Sequence, residues 1–106
     1  MIAKSLKPSA LIALLVVSAL ILVVGLIWFT CSRNAESEFY YNRALHLAAG
    51  ADYDEAISDY TEVIRLNPNS ALAYNSRARA FEAQGKHVEA QADFDKAKQL
   101  GYTGQE

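Results

Sequence analysis

Two adjacent stretches decide the fold: residues 37–70, SEFYYNRALHLAAGADYDEAISDYTEVIRLNPNS, and residues 71–104, ALAYNSRARAFEAQGKHVEAQADFDKAKQLGYTG. Laid over each other at an offset of 34, they agree at eight positions: Tyr40/Tyr74, Arg43/Arg77, Ala44/Ala78, Ala49/Ala83, Glu55/Glu89, Ala56/Ala90, Asp59/Asp93 and Leu66/Leu100. Composition alone would give roughly two or three such matches. Leu47/Phe81, Tyr53/His87, Tyr60/Phe94 and Val63/Ala97 add conservative pairs. The segment is a tandem repeat, in which each copy is one supersecondary unit that buries its apolar face against the next.

The spacing inside each copy is helical. Tyr40, Ala44 and Leu47 stand at i, i+4 and i+7, one stripe of a helix, and Ala56, Tyr60 and Val63 repeat the spacing on a second. Ala44 and Ala56 are small enough for two helix axes to approach closely, with each aromatic filling the space beside an alanine. Helices are expected at about 36–49, 53–66, 71–84 and 87–100. Gly50 and Gly85 are expected to supply the positive φ that ends a helix, and Pro68 stops the second helix. Gly50 comes one place earlier in its copy than Gly85, which predicts a distorted first turn. Asn67-Pro68-Asn69-Ser70 reads as a turn whose serine caps the third helix.

This pattern resembles the tetratricopeptide repeat family, whose helix–turn–helix unit has the same period. The family's places hold Tyr40, Ala44, Leu47, Ala56, Tyr60, Val63 and Pro68 in the first copy. In the second they hold Tyr74, Ala78, Phe81, Ala90, Phe94, Ala97 and, instead of proline, Tyr102. The resemblance implies an all-α fold: two helix–turn–helix repeats forming a four-helix α-solenoid fragment. It also implies a concave face lined by the first helix of each repeat, holding an extended peptide or a helix of a protein partner. Here that face would carry Tyr41, Asn42, Leu45 and Ala48, then Leu72, Asn75, Ser76, Arg79 and Glu82. Members that clamp a terminal carboxylate use a lysine/asparagine/arginine set, and this chain has Tyr41, Leu45 and Ser76 at matching places, so that activity is disfavoured. Ile57 and Ile64 are expected to face the next helix pair, whereas their counterparts Gln91 and Lys98 can face water and cap the array.

Ahead of the repeats, residues 10–29 read ALIALLVVSALILVVGLIWF, 20 residues without a charge. As a helix they rise about 30 Å, the thickness of a bilayer core, and apolar residues occupy every face. Pro8 suits a first helical turn, and Trp28 and Phe29 suit the headgroup level. The expected organisation is a cytoplasmic tail 1–9, a transmembrane helix 10–31 in contact with lipid, a short linker 32–36, repeats at 37–70 and 71–102, and a tail 103–106. Lys4 and Lys7 before the span predict a cytoplasmic N-terminus and a repeat domain on the non-cytoplasmic side. The competing readings are a cleaved signal peptide and a lipid anchor on Cys31. Val17-Ser18-Ala19 fits a cleavage site weakly, and Trp28-Phe29-Thr30 stand where a lipid-attachment site needs small residues.

Eight Lys/Arg face twelve Asp/Glu after Ser32, a net charge of −4, unlike the basic footprint of a nucleic-acid binder. A single cysteine excludes an internal disulfide and a cysteine-built zinc site. His46 and His87 lack ligands at metal spacing. Glu38 and Asp52 lack partners for acid–base work, and there is no Ser/His/Asp or Cys/His set. Enzymatic activity, cofactors, metals and a small-molecule substrate are therefore not expected. Arg43/Asp59 and Arg77/Asp93 recur as pairs across each hairpin, read as surface ion pairs of small value. The functional expectation is a membrane-anchored protein-interaction module, an accessory or assembly subunit of a membrane protein complex. The alternatives are a structural subunit whose span packs inside a complex, and a secreted or lipid-anchored peptide-binding adaptor.

Overall fold

The computed structural model describes residues 7–104. Lys4, one of the two lysines behind the orientation argument, lies outside the described residues. Four helices follow one another: α1 (Pro8–Ala49), α2 (Tyr53–Leu66), α3 (Ala71–Ala83) and α4 (His87–Gln99). The chain divides into two units at Ser32/Arg33.

In the first unit the helix starts at Pro8, where a missing N–H costs nothing, and the Lys7 carbonyl accepts from the Ala10 and Leu11 amides. Its large apolar side chains between residues 11 and 29 are all exposed, from 48% at Leu11 to 76% at Trp28. A window of 18 residues there has a mean hydropathy of 3.2 with none of it buried, so the helix is long and apolar enough to cross a membrane. The one hydroxyl near its end, Thr30, bonds back to the Leu26 and Ile27 carbonyls at 3.0 and 2.9 Å. Residues 32–36, expected as a linker, are helical and part of α1. Ser32-Arg33-Asn34-Ala35-Glu36 contains neither glycine nor proline, so nothing interrupts the hydrogen-bond ladder there.

The second unit packs the remainder of α1 with α2, α3 and α4. Ala44 and Ala56 are fully buried and Tyr60 nearly so, with Tyr41, Leu47 and Ala48 against them. Their counterparts Ala78 and Ala90 are also fully buried. Alanine at these places lets the helix backbones close up, and the apolar area removed from water stabilises the unit. Ser70 caps α3 by accepting from the Ala73 amide at 3.3 Å.

All three helix ends in this unit that turn a corner through a left-handed residue use the same device. In α3, Gly85 donates to the Glu82 carbonyl and Lys86 to Phe81, with φ +75° at Gly85. In α4, Gly101 and Tyr102 repeat it onto Lys98 and Ala97. In α1 the left-handed residue is Ala51 (φ +63°), its amide on the Ala48 carbonyl and the Asp52 amide on Leu47, and Gly50 is not the turning residue. The expectation for Gly50 is thereby corrected. The first turn is not distorted; it holds the same geometry as the second with an L-residue in a place that favours glycine.

Candidate binding groove

Two ion pairs fix the hairpins before any groove exists. Arg43 donates from Nε and Nη2 to the two Asp59 carboxylate oxygens at 2.6 and 2.7 Å. Arg77 does the same to Asp93 at 2.7 and 2.8 Å. The aspartate side chains are buried, and the side chain of Arg77 is 18% exposed against 51% for Arg43. These are not the surface pairs that the sequence suggests. Each is bidentate with a desolvated acid, and each guanidinium lies 5.3–5.9 Å from the centroids of two aromatic rings of its own helix. Both arginines are held above their ordinary pKa, chiefly by the carboxylate bond. The second pair is tied further, since Arg77 Nη1 donates to Thr61 Oγ1 of α2 at 3.1 Å.

With the hairpins set, α1, α2 and α3 enclose a depression of about 290 Å³ lined by Leu45, Ala48, Tyr53, Tyr60, Ser76, Arg79, Ala80 and Ala83. Beside it the Tyr41 and Ser76 hydroxyls lie 3.2 Å apart, bridging α1 and α3. Burial pushes the Tyr60 phenol above its ordinary pKa, with the Tyr41 phenol adding to the rise, while the Ser76 hydroxyl and the charge of Arg79 pull it down. The depression is small for a ligand pocket and suits one or two side chains of a larger partner.

Of the residues expected on the concave face, Leu45, Ala48, Ser76 and Arg79 come together here, and Tyr41 adjoins them through Ser76. Asn42 and Glu82 are exposed outside the lining, and Glu82 Oε1 lies 3.1 Å from His87 Nδ1. Leu72 is 43% exposed, like Leu45 at 44%, but does not line the depression. Asn75 is corrected. It is buried and lines a different depression with Gln91, Phe94, Lys98 and Tyr102. Its place one residue before Ser76 turns it about 100° round α3, toward α4.

Sequence reasoning passed over Tyr53, Tyr60, Ala80 and Ala83. Tyr53 and Tyr60 stand at i, i+7 on α2, and Ser76, Ala80 and Ala83 at i, i+4, i+7 on α3. Both spacings are visible in the sequence, but Tyr60 reads there as core, Tyr53 and Ala83 only as repeat matches, and Ala80 carries no signal of its own. Among the described residues no group of three or more His, Cys, Asp or Glu is placed to hold a metal ion.

Residues 36–101 match the tetratricopeptide repeat family. The chain belongs to that family. Tetratricopeptide repeats are helical-solenoid modules for protein–protein interaction, and the four-helix, two-copy arrangement above is that architecture. Similar proteins include tetratricopeptide repeat protein 36 of Caenorhabditis elegans, 39% identical over 54 residues, which cover 51% of this chain and 30% of that protein. A DnaJ homolog subfamily C member 7 homolog of Dictyostelium discoideum is 36% identical over 64 residues, 60% of this chain and 12% of that one. Small glutamine-rich tetratricopeptide repeat-containing protein 2 of Mycosarcoma maydis is 41% identical over 49 residues, 46% of this chain and 14% of its own length. The chain thus spans a third or less of these relatives, and the likeness is a likeness of the repeat unit.

Proposed function

We propose that this tetratricopeptide repeat chain is a single-pass membrane protein whose repeat unit receives a segment of a protein partner, as an accessory or assembly subunit of a membrane protein complex. The observation that carries this reading is the exposure of every large apolar side chain between residues 11 and 29 on a helix that begins at Pro8. Each such side chain left in water forgoes about 1.5–3 kcal/mol, so lipid or a partner's span must cover the stretch. Residues 10–31 are the lipid-contacting segment. Lys7, with Lys4, places the N-terminus in the cytoplasm and the repeats on the other side. The groove residues Tyr41, Leu45 and Arg79 are the partner-binding set.

The test is extraction and protease access in native membranes. The full chain should stay in the pellet under alkaline carbonate and leave it in mild detergent. Protease added to right-side-out membranes should digest the repeats. Release by carbonate would overturn the span, and full protection from protease would overturn the orientation.

A further inference from the structure

Arg43 and Arg77 are equivalent in the repeat, yet only Arg77 lies under a neighbouring helix. On α3 the stripe Ala73, Arg77, Ala80 and Gln84, at i, i+4, i+7 and i+11, lies against α2. Ala73 is fully buried and Ala80 nearly so. Two bonds cross the contact: Arg77 Nη1 donates to Thr61 Oγ1 at 3.1 Å, and Gln84 Nε2 to Asp54 Oδ1 at 2.6 Å. The acceptors are seven residues apart on α2 and the donors seven apart on α3 in the opposite order, so the two helices run antiparallel. The same stripe on α1, 34 residues earlier, is Phe39, Arg43, His46 and Gly50. All four are exposed, Phe39 at 59% where Ala73 is at 0%. Arg43 uses Nε and Nη2 on Asp59, and among the described residues no acceptor stands at its Nη1 as Thr61 does for Arg77. A repeat whose outer face meets water carries polar residues there. The other end of the unit does so: half-buried Ile57 and Ile64 of α2 are replaced on α4 by exposed Gln91 and Lys98. The α1 stripe instead sets a phenyl ring in the open, with the Arg43 guanidinium 5.5 Å from its centroid.

We infer that this stripe is a second docking surface, and that its occupant is a helix of a protein partner. That helix runs antiparallel to α1, as α2 does to α3, with a Ser, Thr, Asp or Glu set toward Arg43 and apolar residues about Phe39. α2 is the pattern for it, since Thr61 supplies the oxygen there and Ile57 and Ile64 the apolar side chains. An oxygen acceptor on the charged guanidinium and burial of the Phe39 ring are what a matching helix gains. A second copy of this chain has no such helix to offer, because its α4 presents Gln91 and Lys98 at those places. The surface is separate from the groove, which none of Phe39, Arg43, His46 and Gly50 lines. This inference rests on the reading that the repeats serve a protein partner.

The experiment places p-benzoylphenylalanine at position 39 and, separately, at position 46 of the full chain in native membranes, and sequences the crosslinked segments. Both positions should reach one partner segment, at residues about seven apart and in reversed order, because two antiparallel helices rise equally per residue. The residue about four places before the one reached from position 39 should be Ser, Thr, Asp or Glu. Replacing it by Ala in the partner, or making Phe39→Ser or His46→Glu in this chain, should each lower copurification of that partner at least about fivefold, with helicity and melting unchanged. If Phe39→Ser melts lower, the other two changes decide, and an unaltered yield for both would overturn the inference. It would be overturned equally by residues reached in the same order, by a spacing of about three, as an extended segment gives, by a segment of a second copy, or by lipid alone. A protein crosslinked from position 45 in the groove would still leave the proposed function standing. No protein crosslink from position 39, 46 or 45 would overturn both.

Discussion

Ala51 holds in the first repeat the left-handed backbone position that Gly85 holds in the second, φ +63° against +75°. The offset of 34 that aligns the repeats also aligns these two residues, so the geometry of the turn is kept and its glycine is not. An L-residue there costs about 1–2 kcal/mol.

Ala51→Gly should therefore stabilise the repeat unit by about 1 kcal/mol, offset in part by the greater freedom of glycine in the unfolded chain. Gly50→Ala is compatible with it, because a Cβ there meets nothing closer than the Leu47 carbonyl at 3.5 Å, an ordinary contact. The double variant should melt about 4–8 °C higher by circular dichroism in detergent. A lower melting temperature for Ala51→Gly would mean that residue 51 is not left-handed.

The two repeated ion pairs are not equivalent. Asp93→Asn leaves Arg77, only 18% exposed, without its carboxylate, whereas Asp59→Asn leaves Arg43, half exposed, to water. Asp93→Asn should cost about 2 kcal/mol or more, and Asp59→Asn less. Equal shifts in denaturation midpoint would show that the exposure difference does not govern the pairs.

Ala56 is fully buried against Ala44 and Tyr60. Ala56→Leu forces three more carbons into that contact and should destabilise by about 1–3 kcal/mol through overpacking. A charge change at exposed Lys96 is the control, expected within about 0.5 kcal/mol of the parent. An unchanged melt for Ala56→Leu would contradict the close packing of α1 on α2.

The helix limits of α2, α3 and α4 were legible from the period of 34, and the Ser70 cap from the Asn67-Pro68-Asn69-Ser70 turn, which the second copy does not repeat. Arg43/Asp59 was legible as a pair but not as a buried one, since burial of Asp59 depends on how closely the alanines let the helices approach. Ala51 was missed because glycine was followed in place of the repeat register. The linker at 32–36 was inferred from a change in composition, and composition does not break a helix without glycine or proline. Asn75 and Ser76 both follow from the family resemblance, which does not say that a rotation of about 100° per residue puts them in two different depressions.

Alkaline pH offers a probe of the groove floor. Burial raises the Tyr60 phenol pKa in the folded state above its unfolded value near 10. The neutral phenol is the form the fold favours, so its contribution is complete below about pH 10 and is lost as pH rises through the folded value. Stability measured by urea denaturation should fall with pH in that range, and Tyr60→Phe should flatten the fall. An identical slope in the variant would show that another group carries the alkaline transition.

Leu45 and Leu72 are equally exposed, at 44% and 43%, yet only Leu45 lines the groove beside Arg79. Exposure alone would make them interchangeable as anchors for a partner; the groove geometry does not. Leu45→Ser should reduce copurification of the partner several-fold with little change in melting, because the side chain gives up contact with the bound segment rather than with the core. Leu72→Ser should leave copurification near the parent level. The double variant Leu45→Ser/Arg79→Glu should abolish association while keeping helicity, since both side chains are exposed. If Leu72→Ser matches Leu45→Ser in its effect, the binding surface extends along α3 beyond the depression. If Leu45→Ser unfolds the repeats, Leu45 is scaffold, and the partner must be held elsewhere on the chain.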